Sequence, residues 1–404
     1  MLTEKLLAEA VIKGSDTCYS IPGYPVTELS GYCRAEYTIN EKTALEYALG
    51  DSLSGLRSVV IVKNAGMNAL CDPLVNATTQ GLRGGVVIIA GDDTSAKGSQ
   101  NRQDSRYFAE VAQVPLLEPE ADDIASCIES AMQASERFSR VCIIRLTPEI
   151  FKTETKEIQI PYRVQKYGDL AAPDLTMKGR CEFSDNLTRL MYEWSKPPFV
   201  WPPSEATIKK AEGVEESGRH FLGEHQKPYP PEYTKDPESA ERRGFTKTLC
   251  PNCPYKKLFE IMRDLGDEVI CDTGCSLMSK NPPYGFGVAN YGLGSSVAVA
   301  AKSTKIALTG DYALLHSGIN ALVDIHKKKI PLLCIVLKNK KMGMTGGQDI
   351  PDIMPYIQFT NPVVTTAGSE NVLRKHIKNR QESLKVIVVE GECPKGEEHE
   401  TIRC

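Results

Sequence analysis

The chain reads as an α/β protein with two parallel-sheet domains, residues 1–160 and 247–404, joined by an irregular connector, 161–246. Three observations predict this. Apolar runs of strand length alternate with helix-period segments in both blocks. A length of 404 residues with 41% hydrophobic content is enough for two or three packed cores. Between the blocks, Pro197-Pro198, Pro202-Pro203 and Pro230-Pro231 break either period.

In the first block, apolar residues at helical spacing predict helices over 3–13 and 40–53. Continuous β-branched runs predict buried strands over 58–63, 85–90 and 141–146. The connector carries one helix, 182–194, and a crowd of charges over 238–243, and it is too broken for a third α/β domain. The second block opens near Thr248, and its strands are expected over 268–271, 304–309, 331–337 and 384–389. It repeats the architecture of the first.

Charge and composition exclude some function classes. A net charge of −4 with mixed signs shows no basic stripe, which argues against a nucleic-acid partner. No apolar run approaches the ~20 residues of a membrane helix, and the amino terminus has no apolar signal region, so the expected location is cytoplasmic. Most of the thirteen cysteines are then expected to be reduced, with Cys142 and Cys334 packed inside strands.

The chemistry concentrates between Gly310 and Asn339. Asp311 follows one predicted strand and Asn339 the next, placing an anionic and a neutral oxygen at the carboxyl edge of a parallel sheet. That pair suits Mg²⁺ on a diphosphate. Gly310 allows the backbone to turn tightly, a carbonyl near Lys341 would complete the protein's share of ligands, and Ser317 is expected to begin a helix whose amide end faces phosphate.

Several motifs carry a resemblance. Leu315-His316-Ser317-Gly318-Ile319, Met344-Thr345-Gly346, Cys250-Pro251-Asn252-Cys253-Pro254 and Asp272-Thr273-Gly274-Cys275 stand in the second block. Gly23-Tyr24-Pro25, Asn40-Glu41-Lys42, Lys63-Asn64-Ala65-Gly66-Met67-Asn68 and Ser99-Gln100-Asn101-Arg102-Gln103-Asp104-Ser105-Arg106 stand in the first. Together, over about residues 15–150 and 248–393, they resemble the large subunit of the indolepyruvate ferredoxin oxidoreductases. These belong to the thiamine diphosphate-dependent 2-oxoacid:ferredoxin oxidoreductases.

The resemblance implies two thiamine diphosphate-binding-fold domains, a pyrimidine-binding one first and a diphosphate-binding one second, usually paired in a homodimer. It implies that Glu41, in a Glu-x-x-Ala-x-x-x-Ala-x-Gly pattern completed by Ala44, Ala48 and Gly50, hydrogen-bonds the aminopyrimidine. It gives cofactor contacts to Gly274, Gly310, Asp311, Tyr312, Asn339 and Lys341. Thr27 and Asn68 fall to the substrate, and His316 to proton transfer or substrate holding. Cys250, Cys253, Cys275 and Cys393 match the ligand order of a [4Fe–4S] cluster in related enzymes, though a zinc site or a plain structural role uses the same residue type.

Two departures bear on the reaction. Tyr312 stands where a small residue is usual, crowding the Mg²⁺ loop, and the two dense cysteine runs of the family's ferredoxin-like domain do not appear in this sequence. Electrons would then leave through the proposed cluster, to ferredoxin or another subunit, or not at all. The expected activity is oxidative decarboxylation of a 2-oxoacid. The alternatives are a non-oxidative decarboxylase like those acting on sulfopyruvate or phosphonopyruvate, and a non-catalytic subunit of the same fold.

Overall fold

The apolar runs become parallel strands in the computed structural model, which describes residues 2–155, 158–194, 231–378 and 383–394. The chain divides into two units. One takes the described residues of 1–171 and 177–237, the other those of 172–176 and 238–404. Residues 195–230 of the expected connector, with two of its three proline pairs and Pro230, lie outside the described residues.

The first sheet holds β1 (Thr17–Ser20), β2 (Glu36–Tyr37), β3 (Ser58–Lys63), β4 (Val86–Gly91), β5 (Leu116–Leu117) and β6 (Cys142–Leu146). They lie in the order β2-β1-β3-β4-β6-β5, every pair parallel. The second sheet holds β7 (Val269–Cys271), β8 (Gly287–Ala289), β9 (Ile306–Gly310), β10 (Leu332–Lys338), β11 (Val363–Thr366) and β12 (Leu384–Glu390), in the order β11-β12-β10-β9-β7-β8. Read from β8, the second sheet repeats the strand order of the first. The two units therefore share one topology.

In each sheet the chain winds outward in opposite directions from a crevice, between β1 and β3 in one unit and between β7 and β9 in the other. In open parallel sheets such a crevice, outside the carboxyl ends of the strands, is where ligands bind. The central strands are buried on both faces: β4 and β10 carry no exposed residue, which is why they read as unbroken apolar runs. In the second unit Leu308, Ile335 and Ile387 pack with Phe259 and Phe286 from the flanking segments.

Helix starts set the site. The Asn40 side chain accepts the Thr43 N–H at 2.8 Å and caps the helix Glu41–Leu53, making Glu41 its first residue. The helix after β9 begins at Asp311, not at Ser317: Asp311–Ala313 runs into a π turn, Leu314–Gly318, and on into Ile319–Lys328. Ser317 is therefore inside the helix, and its Oγ donates to the Leu293 carbonyl at 2.7 Å. The helix expected over 182–194 starts earlier, as Met177–Trp194. No helix among the described residues is long and apolar enough to cross a membrane.

Candidate active site

At the carboxyl edge of the second sheet, Asp311 is 2% exposed and its carboxylate is held by main-chain donors. Its Oδ1 accepts from Tyr312 N at 2.9 Å and its Oδ2 from Lys340 N at 2.8 Å, with the Asn339 amide also near. Burial raises its pKa, and those backbone hydrogen bonds oppose the rise. A divalent cation here would supply the counter-charge that the amides only partly provide. A Cβ built on Gly310 or Gly274 meets nothing within 4 Å, so both glycines front open space. Gly310 has an ordinary extended backbone, φ −89° and ψ 156°, and is not needed for a tight turn, whereas Gly274 at φ 129° is in the region that favours glycine.

Asn339 closes the same edge after β10. Its Oδ1 accepts Lys341 N at 3.0 Å, and its Nδ2 donates to Cys393 Sγ at 3.1 Å. Lys341 Nζ pairs with Asp349 at 2.5 Å, so its side chain is engaged across the loop that follows. The buried Lys338, at the end of β10, pairs with Glu390 at 3.0 Å and Asp352 at 3.2 Å, fastening that loop to the sheet.

Cys250, Cys253, Cys275, Cys393, Asn339 and Lys341 line one cleft of this unit. The Cys250–Cys253 loop reaches it because Pro254 and Tyr255 press on Gly391, where the Tyr255 hydroxyl donates to the Gly391 carbonyl at 3.3 Å. Burial pushes the Cys253 thiol up to about 11 and Cys275 up to about 12, so loss of their protons at neutral pH would have to accompany metal capture. Among the described residues no group of three or more His, Cys, Asp or Glu side chains is gathered as a single metal ion requires. Cys271 stands apart from the four, buried in β7 with its Sγ donating to the Ala289 carbonyl at 3.4 Å.

The quoted Asp272 turns out to be architectural. Fully buried, it accepts Ser296 N at 3.0 Å and Ser296 Oγ at 2.8 Å, and also bonds Thr309, tying β7 to β9 and to the helix Ser296–Lys302. His316 is exposed, its Nδ1 3.4 Å from Ser317 Oγ and its ring 6.0 Å from that of Tyr312. Tyr312 thus packs against the next turn of its own helix. Neither residue is among those lining the cleft.

In the first unit, Glu41 is half-buried beside Gly66, the first residue of the helix Gly66–Gln80. Glu46, in the body of the same helix, is 2% exposed and paired with Lys42 at 3.0 Å. The loops after β3 and β4 are bound together: Lys63 Nζ donates to Gln100 Oε1 at 2.7 Å, Asn64 Nδ2 to the Asn101 carbonyl at 3.3 Å, and Gln103 Nε2 to the Asn64 carbonyl at 2.6 Å. Thr27 begins the helix Thr27–Tyr32 and is exposed, as is Asn68. Sequence reasoning met Gly66 only as one member of a motif and did not single out Gly343 or Gly391. Their signal is a glycine one to five residues beyond a strand or its edge loop, where another segment must come close.

Comparison with known proteins bears on the fold and the kind of domain. Residues 267–379 match the family model described as the thiamine pyrophosphate enzyme, C-terminal TPP binding domain. The chain is 25% identical to the indolepyruvate oxidoreductase subunit IorA of Methanothermobacter thermautotrophicus, over 96% of this chain and 86% of that one. It is 32% identical to the IorA of Pyrococcus abyssi over 36% of this chain and 24% of that one. Among solved structures, the thiamine diphosphate-dependent 4-hydroxybenzoylformate decarboxylase of Rhodococcus jostii superposes with a TM-score of 0.62 at 15% identity. That match covers 97% of this chain and 99% of the other and speaks to the fold. Two sheets of the same order, a match to the C-terminal TPP binding domain model and relatives along nearly its whole length make the chain similar to the thiamine diphosphate-dependent oxidoreductases of the IorA type.

Proposed function

We propose that the protein carries out thiamine diphosphate- and Mg²⁺-dependent oxidative decarboxylation of a 2-oxoacid. Cys250, Cys253, Cys275 and Cys393 would hold a [4Fe–4S] cluster, which would supply an acceptor for the electrons on their way to ferredoxin or a partner subunit. The observation that carries this reading is the convergence on one edge of one sheet of a diphosphate-type pair, Asp311 and Asn339, with four cysteines around one cleft. When bound, thiamine diphosphate would supply a nucleophilic carbon and the electron sink for loss of CO₂ from a 2-oxoacid.

The chain's own residues do the rest. Asp311, Asn339 and the main chain at Lys341 offer oxygens for Mg²⁺, and the open space before Gly310 and Gly274 admits a diphosphate. Glu41 holds a proton at the pyrimidine ring nitrogen, the role its place at a capped helix start and its freedom from ion pairs among the described residues support. Thiols spread around a cleft suit a multi-iron cluster better than one zinc ion, which draws its ligands to a single point. Exposed Thr27, Asn68 and His316 are the groups offered to substrate, and a homodimer is the expected working form.

The test is anaerobic purification followed by iron and sulfide analysis and a panel of 2-oxoacids with and without an electron acceptor. Four irons, absorbance near 400 nm and acceptor-dependent CO₂ release are expected. A colourless protein that releases CO₂ and aldehyde without an acceptor would instead be a non-oxidative decarboxylase.

A further inference from the structure

Asn339 is bonded at both ends of its amide. The oxygen accepts Lys341 N at 3.0 Å, on the side where the Mg²⁺ pair lies, and the nitrogen donates to Cys393 Sγ at 3.1 Å. The bond sits directly under Gly343. A Cβ there would lie 3.3 Å from Asn339 Nδ2, 3.5 Å from Cys393 Sγ and 3.7 Å from Cys275 Sγ, so no side chain separates the amide from two of the four cysteines.

We propose that Asn339 couples the metal–diphosphate site to the iron–sulfur cluster, its N–H···S bond to Cys393 setting the cluster's reduction potential. This rests on the cluster reading above. Reduction adds one electron and no proton to the cluster, and the added negative charge spreads onto the ligand sulfurs. A donor aimed at one of those sulfurs stabilises the reduced form more than the oxidised form and raises the potential. A cation at the amide oxygen polarises the N–H and strengthens the bond, so a loaded metal site makes the cluster a better acceptor. Asn339 is a positioning residue for electron transfer in addition to its role as a metal ligand.

The experiment is a redox titration of the purified protein followed by the EPR signal of the reduced cluster, with dithionite as reductant, for wild type and Asn339→Thr. Threonine is neutral and keeps an oxygen but has no amide donor. At the wild-type midpoint the reduced-to-oxidised ratio of the variant should fall at least tenfold, about 59 mV for a one-electron couple. Adding Mg²⁺ with thiamine diphosphate should raise the wild-type potential and move the variant less. An unchanged midpoint with four irons retained overturns the proposal and leaves the cluster reading standing. A wild-type protein without iron overturns both. Should Asn339→Thr not fold, Asn339→Ala decides in the same way, since it is neutral, lacks the donor, and an unchanged midpoint there is equally fatal.

Discussion

Gly66 stands so close to Glu41 that a Cβ on it would lie 2.8 Å from both Glu41 Cγ and Oε1. The first turn of the helix Gly66–Gln80 is thus a wall against which the Glu41 carboxylate rests, and only a residue without a side chain fits there. Gly66→Ala should push Glu41 out of place while gaining up to ~1 kcal/mol of helix propensity against an overpacking cost of about 1–3 kcal/mol. Glu41→Gln should keep the fold and slow exchange of the thiazolium C2 proton of bound thiamine diphosphate at least a hundredfold, within the usual range for acid–base groups, ~10²–10⁴. Gly66→Ala should slow the same exchange without altering the glutamate. Gly31→Ala, where a Cβ meets nothing within 4 Å, is the control. Deuterium exchange at the wild-type rate in Glu41→Gln would remove Glu41 from the site.

Glu110 is 3% exposed, its Oε1 has no hydrogen-bond partner, and burial raises its pKa from 4.5 to about 7. Because the folded state holds this proton more tightly than the unfolded chain, its contribution is fully favourable below about pH 4.5. Stability then falls as pH rises toward 7. Above pH 7 the buried charge costs on the order of 3 kcal/mol. Glu110→Gln should flatten that decline and raise the urea midpoint at pH 8 with little effect at pH 4.5. Parallel pH profiles for the two proteins would show that Glu110 finds a partner when it ionises.

How much was legible beforehand follows from burial. The central strands β3, β4, β6, β9, β10 and β12 were readable because burial on both faces makes each an apolar run. The edge strands β2, β5 and β8 have two or three residues each, and β11 alternates between half-buried and exposed, so none carries a clear period. β1 is internal yet reads Thr-Cys-Tyr-Ser. Its polar groups are satisfied from a distance, Tyr19 and Thr17 donating to Asp51 at 2.7 and 2.8 Å, and no local pattern announces that. Of the candidate site, Glu41, Asp311, Asn339 and the four cysteines stand out in the sequence as residue types near strand ends and in motifs. The Asn339–Cys393 bond and the close approaches at Gly66, Gly343 and Gly391 join segments far apart in sequence and appear only with coordinates. The helix start was misplaced at Ser317 because the π turn hides the continuity of Asp311 with Lys328.

Arg57 is fully buried just ahead of β3. Its Nε and Nη2 donate to the two oxygens of Glu136 at 2.6 and 2.8 Å, its Nη1 to Glu129 at 2.7 Å, and Nη2 also to the Val164 carbonyl at 2.9 Å. One guanidinium thereby joins the helix Ile124–Phe138 to the segment that leaves β6. Arg57→Met should destabilise the first unit by about 3–5 kcal/mol, because two carboxylates are left buried without their cation. Combining it with Glu129→Gln and Glu136→Gln should recover more than half of that loss in a urea melt. No recovery would mean that Arg57 acts through packing alone.

Gly391 is the point where the Cys250–Cys253 loop meets the end of β12. A Cβ there would lie 2.7 Å from Pro254 Cγ, 2.8 Å from Pro254 Cβ and 3.3 Å from Tyr255 Cε1, while Gly391 N donates to the Lys338 carbonyl at 3.1 Å and fixes the other side. The sheet cannot yield, so in Gly391→Ala the loop must. Cys250 and Cys253 then move away from Cys393, two residues further on. Overpacking of this kind costs about 1–3 kcal/mol, which the second unit can absorb without unfolding, so the consequence should appear at the proposed cluster. Iron content of anaerobically purified Gly391→Ala should fall to less than half of wild type, with far-UV circular dichroism unchanged. Gly368→Ala, where a Cβ meets nothing within 4 Å, should keep its iron. Full iron in Gly391→Ala would show that Cys250 and Cys253 do not depend on this contact for their place beside Cys393.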